Sequence, residues 1–94
     1  MLQQNQIKRM MMDEEKFEFY LNKIEAKFPN KLKLNQGEML QCINKSRATF
    51  QRIIVANDLH KIPKISSKEE FKRKSAQYYT YEFDIFDIAK FLAQ

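Results

Sequence analysis

The chain has 94 residues, a length that fits one domain with a modest apolar core. Its 31% charged and 13% aromatic residues exclude a disordered composition, and its apolar runs are too short to span a membrane. The single cysteine excludes an internal disulfide and a zinc site of the usual spacing. No secretory leader is recognisable, so we expect a cytoplasmic protein.

The net charge of +5 is concentrated in the middle of the chain. Residues 31–81 contain eleven Lys or Arg against four Asp or Glu, whereas residues 1–30 are neutral and residues 82–94 are acidic. A basic segment in a small domain attracts polyanions and speeds their encounter. Charge alone leaves open whether that polyanion is nucleic acid.

Residues 1–30 are predicted to be an N-terminal helical extension. From Asp13 to Phe28, apolar residues recur at helical spacing, with acidic residues at the start and Pro29 at the end. Phe19 lies roughly opposite that apolar face. The face consists of Phe17, Tyr20, Leu21, Ile24 and Phe28.

A helix-turn-helix is predicted to follow. Asn35 and Glu38 form the pattern of a capping box, which predicts a helix over 36–43 that ends at Asn44. Ser46 is a good N-cap for a second helix over 47–56, whose buried stripe would be Phe50, Ile53 and Ile54. Two short helices joined by so few residues are typical of a helix-turn-helix.

The opposite face of the second helix carries small or polar side chains near its beginning, which is the part of a recognition helix that contacts base edges in a DNA groove. No acidic residue there is spaced to pair with Arg47 or Arg52, so a phosphate partner would explain both arginines. This face consists of Arg47, Ala48, Thr49, Gln51, Arg52, Val55 and Ala56.

The last third is predicted to hold a β-hairpin and a helix. "KIPKI" (61–65) has the pattern of an edge strand and "YYTYEF" (78–83) alternates like a second strand. Residues 66–77 between them are predicted to be a long basic loop, the wing. Asp84 is placed to cap a final helix. The expected fold is therefore mainly α with a small β-hairpin (α+β), with a winged helix-turn-helix domain over 31–94.

The run "LNQGEMLQCINKSRATFQR", Leu34 to Arg52, followed by a Pro-containing segment, a basic loop and "IFDIAKFLA", resembles the winged helix-turn-helix of MerR-type regulators and phage or plasmid excisionases. The resemblance covers about residues 32–93. It departs from the family at Leu40, Asn44 and Lys45. The matching features lie at Glu38, Ser46, Arg47, Thr49, Arg52, Lys72 to Lys74, Asp87, Ile88, Phe91 and Leu92.

The resemblance implies that Ser46, Arg47 and Thr49 contact phosphates or base edges, that Arg52 contacts the backbone, and that the wing touches a neighbouring minor groove. Double-stranded DNA is thus the expected partner. The full set of expected DNA contacts is Lys45, Ser46, Arg47, Ala48, Thr49, Gln51, Arg52, Lys68, Lys72, Arg73 and Lys74.

One reading helix seldom gives enough specificity alone, so a homodimer or cooperative assembly on DNA is expected, with Phe17, Phe19 and Tyr20 as candidate contacts. The alternative hypothesis is a protein-interaction adaptor that docks through the N-terminal helix.

Cys42 and His60 lack partners for catalysis, so we expect no enzyme activity, no metal and no cofactor.

Overall fold

A computed structural model describes residues 2–74 and 76–94, with side chains described from residue 14 onward. These residues adopt an α+β fold with four α-helices and a three-stranded antiparallel sheet. This confirms the predicted fold class. The elements are α1 (Leu2–Lys27), β1 (Lys33–Asn35), α2 (Gln36–Ile43), α3 (Arg47–Ala56), a short 3-10 helix (Leu59–Lys61), β2 (Ser67–Arg73), β3 (Ala76–Asp84) and α4 (Ile85–Ala93).

The strand order in the sheet is β1-β3-β2, so β3 is central. β2 and β3 form a hairpin in which Ser67 lies opposite Glu82 and Arg73 opposite Ala76. β1 is a three-residue strand in which Leu34 lies opposite Phe83, and it was not predicted from the sequence. Both of these side chains are fully buried, so the short strand is held by its packing as well as by its ladder.

Two predictions about the hairpin were wrong. "KIPKI" (61–65) is not a strand, because Lys61 ends the 3-10 helix, residues 62–65 pair with no described strand, and Pro63 has no backbone N–H to donate to a ladder. The stretch 66–77 is not a long loop, because most of it forms β2 and the beginning of β3. The partner of the "YYTYEF" strand is therefore Ser67–Arg73, and the wing is a tight hairpin.

The predicted beginning of the first helix at Asp13 was also wrong, since α1 begins at Leu2. Residues 2–12 contain no glycine or proline and are rich in Gln, Met, Lys and Arg, which favour helices, so no helix breaker separates them from Asp13. The other helix boundaries match closely. α2 and α3 begin and end at the predicted residues, and α4 begins after Asp84.

The core lies between the helices and one face of the sheet. Phe50 of α3 is 1% exposed and makes edge-on contacts with Tyr81 and Phe83, at centroid distances of 5.4 Å and 6.4 Å. Ile54, predicted in the same buried stripe, is only partly buried at its edge. Ile24 of α1 is buried in the same core, so the N-terminal helix packs on the rest of the molecule.

Candidate nucleic-acid interface

The helix-turn-helix is held by a side-chain cap at the beginning of each helix and by a backbone cap at its end. The Asn35 side chain accepts a hydrogen bond from the Glu38 backbone N–H at 2.8 Å, and Glu38 accepts from the Asn35 N–H at 3.1 Å. Lys31 adds an ion pair to Glu38 at 2.6 Å. These contacts to the Lys31 ammonium and the Asn35 N–H hold the pKa of Glu38 below its usual value. The beginning of α2 is therefore fixed in place.

The turn between the helices depends on a left-handed residue. Asn44 has φ 57° and ψ 48°, a conformation that asparagine tolerates better than most residues. The backbone N–H groups of Asn44 and Lys45 both donate to the Leu40 carbonyl, the second at 3.1 Å. Lys45 itself is exposed at the end of this turn. The turn thus sets the direction in which α3 leaves.

Ser46 and Thr49 share the beginning of α3. The Ser46 hydroxyl accepts a hydrogen bond from the Thr49 backbone N–H at 3.1 Å, and the two hydroxyl groups bond to each other at 3.0 Å. One hydroxyl hydrogen is used between them. Among the described residues no acceptor takes the other, so it can be donated to an incoming oxygen. The pair is both a helix cap and a donor at the surface.

The outer face of α3 is exposed and carries a single sign of charge. Arg47, Arg52 and Val55 are all exposed, Val55 by 85%. The salt bridges among the described residues join Lys31 to Glu38 and Lys61 to Asp58, and neither arginine takes part in one. Both guanidinium groups are thus available to an external anion. The other predicted contacts Ala48 and Gln51 are exposed on this helix, and Thr49 is half-buried.

The basic residues of the wing divide into two groups. Lys72, Arg73 and Lys74 are exposed at the end of the hairpin, and Lys74, with φ 58°, lies in the turn. Lys68 lies at the other end of β2, where its Nζ is 4.3 Å from the ring centre of Tyr79 and 5.8 Å from that of Tyr81. These cation–π contacts hold Lys68 on the hairpin. They could not be predicted from the sequence, because only the register between β2 and β3 makes the three residues neighbours.

One face of the hairpin is turned toward α3. Residues paired across an antiparallel ladder point to the same face, so Lys68 and Lys72 share a face with Tyr81. Tyr81 contacts Phe50 of α3, which shows that this is the face turned toward α3. Arg73 points to the other face. The tip of the wing is therefore the point where basic side chains extend from both faces.

The three predicted oligomer contacts differ in exposure. Phe17 is half-buried and stacks on Phe86 of α4 at 6.5 Å, and Tyr20 packs against the core. Phe19 is exposed, with the Lys23 ammonium 4.8 Å from its ring centre. Of the three, Phe19 alone is exposed, by 53%.

The remaining chemistry-bearing residues form no site in the part of the chain that the structure describes. Burial raises the pKa of the half-buried Cys42 thiol, so the reactive thiolate is disfavoured. Among the described residues, no three His, Cys, Asp or Glu side chains converge as metal ligands do. Within the same residues, no helix has both the length and the apolar character that crossing a membrane requires.

Comparison with known proteins adds no relative. No protein-family model matches the chain, and searches of curated proteins and of solved structures found no match. The site therefore rests on its own geometry.

Proposed function

We propose that this protein is a non-enzymatic, sequence-specific double-stranded DNA-binding protein. In this proposal α3 enters the major groove, and the wing tip contacts the adjacent backbone or minor groove. The observation that supports it most is the outer face of α3, where Arg47 and Arg52 are exposed and make no ion pair with any described residue. Surface stability alone does not account for two such arginines on one helix face.

The beginning of α3 suits a phosphate oxygen. A helix N-terminus carries partial positive charge, and the first turn of α3 contains no acidic residue to neutralise it. Arg47 and the hydroxyl pair of Ser46 and Thr49 add donors at that end. We expect these groups to fix the protein on the backbone, as phosphate contacts generally do.

The rest of the outer face suits the floor of a groove. Ala48 and Val55 present methyl groups and Gln51 presents an amide, which are side chains that contact thymine methyl groups and adenine edges. Arg52 contacts the DNA backbone or donates hydrogen bonds to a guanine edge. The major groove is about 12 Å wide and admits one helix, and the outer face of α3 is not covered by any described element.

The resemblance to MerR-type regulators and excisionases belongs to this proposal. It gives two roles, a small transcriptional regulator or an architectural factor in recombination, each acting in the cytoplasm where the DNA of such systems lies. The resemblance and the exposed basic surface share Arg47, Arg52 and Lys72 to Lys74, and the structure adds that these side chains are exposed.

The test is fluorescence anisotropy with a mixed-sequence duplex at several salt concentrations, comparing the wild type with Arg47→Ala/Arg52→Ala. If roughly six phosphates are contacted, the slope of log affinity against log salt is near −5, and losing two contacts reduces its magnitude by about 2. The matched control is Lys16→Ala/Lys90→Ala, which removes the same charge from α1 and α4. We expect the control to keep the wild-type slope within about 0.5.

Two results would contradict the proposal. One is no binding even at low salt. The other is equal weakening by both double variants, which would mean that net charge alone attracts the duplex.

The alternative, an adaptor that docks a protein on the N-terminal helix, is favoured by one feature. An open groove between α1 and α4 is lined by Phe17 and Phe19 together with three glutamates and Lys90. Such a groove repels DNA and attracts a basic segment. On that alternative, Arg47→Ala/Arg52→Ala leaves partner binding unchanged.

A further inference from the structure

We infer that β2 is a self-complementary docking edge, which pairs with the β2 strand of a second copy of this chain to join two sheets into one. The inference concerns a surface other than the outer face of α3, and it shares Lys72 and Arg73 with the wing tip. It does not rest on DNA binding, and its test contains no DNA.

The first observation is that β2 lies at the edge of the sheet. In the order β1-β3-β2 it pairs with β3 on one side, and no described strand lies on its other side. Its seven residues are exposed except for Ser67, which is half-buried. An edge strand presents a row of unpaired N–H and C=O groups that can template a further strand.

The second observation is the order of charges along β2. Its sequence "SKEEFKR" places two acids before Phe71 and two bases after it. When two such strands run antiparallel about a two-fold axis at Phe71, Glu69 faces Arg73 of the other copy and Glu70 faces Lys72. The symmetry doubles both pairs. Four opposite-charge cross-strand pairs then stabilise the junction.

Symmetry excludes nearly every other register. An antiparallel pair related by a two-fold axis must pair one residue with itself. In β2 every residue except Ser67 and Phe71 is charged, so any other centre would bring two like charges together. Ser67 is the first residue of the strand, and an axis there leaves hardly any of β2 paired. Phe71 is thus the one centre that uses the strand and brings opposite charges together.

The third observation is an exposed aromatic pair on the same axis. Phe71 lies opposite Tyr78 in the hairpin, and the two are 49% and 54% exposed. Both therefore point to the same face, the one turned away from α3. In the paired sheet they would form a row of four rings, with the two Phe71 side chains at the centre. Aromatic neighbours across strands stabilise a sheet in addition to the ion pairs.

The ends of the paired region are the weakest part. In this register Lys68 faces Lys74 of the second copy. Lys74, however, lies in the turn beyond β2, and Lys68 leans over Tyr79. The like-charge pair therefore lies at the end of the ladder, where Lys74 is already outside the strand. The pairing consists of residues 69–73.

The test is sedimentation equilibrium of the full chain under reducing conditions over a wide concentration range. We expect the wild type to dimerise. Glu69→Lys/Glu70→Lys replaces all four ion pairs with like-charge pairs, so its dimer dissociation constant should rise at least about tenfold. Lys72→Glu/Arg73→Glu should have the same effect by itself, and an equimolar mixture of the two double variants should restore a dimer.

Two further variants separate this edge from general charge effects. Glu14→Lys/Glu15→Lys makes the same change in net charge on the exposed beginning of the α1–α4 groove, and it should leave the dimer unchanged. The quadruple swap of Glu69 and Glu70 to Lys with Lys72 and Arg73 to Glu keeps the composition of charges and reverses their order. It should dimerise like the wild type.

The register has its own test. In a Cys42→Ser background, Phe71→Cys should form a disulfide between copies on mild oxidation, because residues paired at the axis have Cα atoms about 4.5–5.5 Å apart. Tyr79→Cys, on the central strand and the other face, should not.

A wild type that is monomeric at every concentration would overturn the inference. So would a dimer that survives Glu69→Lys/Glu70→Lys and dissociates on Glu14→Lys/Glu15→Lys. DNA binding is measured separately, by the anisotropy assay on the wild type and Arg47→Ala/Arg52→Ala.

Discussion

Two exposed, charged surfaces of this molecule differ in the arrangement of their charges. The outer face of α3 carries Arg47 and Arg52 and no acid, whereas residues 69–73 of β2 place two acids and two bases symmetrically about Phe71. A surface of one sign needs a partner of the opposite sign, and a polyanion supplies it. A surface of balanced, ordered charges is complementary to itself when the strand direction is reversed. Charged side chains thus favour different partners, depending on how they are arranged on the surface.

The two surfaces share one support. Phe50 projects from the inner face of α3 onto Tyr81 of β3, the strand that holds β2 in the sheet. A change at this contact should therefore weaken both surfaces together.

The largest effect is expected from Phe50→Ala. Removing a fully buried ring from the core should lower the free energy of unfolding by about 3–5 kcal/mol. Chemical denaturation followed by circular dichroism measures it. DNA binding and self-association should weaken together. Val55→Ala is the control on the same helix, since an 85% exposed side chain should change stability by less than about 0.5 kcal/mol. A Phe50→Ala variant as stable as the wild type would contradict the claim that the contact between Phe50 and Tyr81 supports both surfaces.

A smaller effect is expected at the turn before α3. Asn44 adopts a left-handed conformation, so Asn44→Ala should cost about 1 kcal/mol of folding free energy. Asn44→Gly, which tolerates that conformation, should stay near the wild type. Because the turn directs α3, we expect Asn44→Ala to weaken DNA binding and to leave self-association unchanged. Thermal unfolding and the anisotropy assay test this. Equal stabilities of the alanine and glycine variants would contradict it.

Opposite effects on the two surfaces are expected from Glu69→Lys/Glu70→Lys. The same substitution that weakens self-association adds positive charge to the wing, so it should raise duplex affinity several-fold at low salt. The salt-dependent anisotropy assay measures this gain. A loss of duplex affinity would show instead that the dimer is the DNA-binding form.

The smallest effect is expected at the beginning of α2. Glu38→Ala removes half of the capping box and the ion pair to Lys31, at a cost of about 0.5–1 kcal/mol. Because the folded-state pKa of Glu38 is lowered, its stabilisation is complete above the usual value of 4.5 and is lost as the pH falls through the folded-state pKa.

The stability difference between the wild type and Glu38→Ala should therefore shrink when unfolding is measured at successively lower pH. The control is Glu38→Gln, which keeps a hydrogen-bonding side chain without the charge. It should be more stable than Glu38→Ala by a smaller amount, and that difference should not change with pH. A difference that stays constant down to about pH 3 would contradict the ion pair with Lys31.

The sequence predicted the parts of this fold that short-range chemistry determines. The ends of α2 and α3 follow from Asn35, Asn44, Ser46 and Asn57, whose caps act within a few residues. The exposed face of α3 follows from the same boundaries. For this reason the candidate DNA surface was recognisable before its geometry was known.

The hairpin was not predictable in the same way. β2 has one apolar residue among charged ones, so its pattern resembles a loop, and its strand conformation comes from pairing with β3. The cation–π contacts of Lys68 and the exposed pair of Phe71 and Tyr78 depend on that register. Long-range pairing leaves little trace in the local pattern of one strand.

The most direct measurement of the central claim is a two-dimensional amide NMR titration of the labelled protein with a short duplex. We predict chemical-shift changes concentrated in residues 45–52 and 72–74, with residues 14–22 of α1 unchanged. Changes concentrated in residues 14–22 and 90–94, with α3 unchanged, would contradict the claim and point to a partner in the α1–α4 groove.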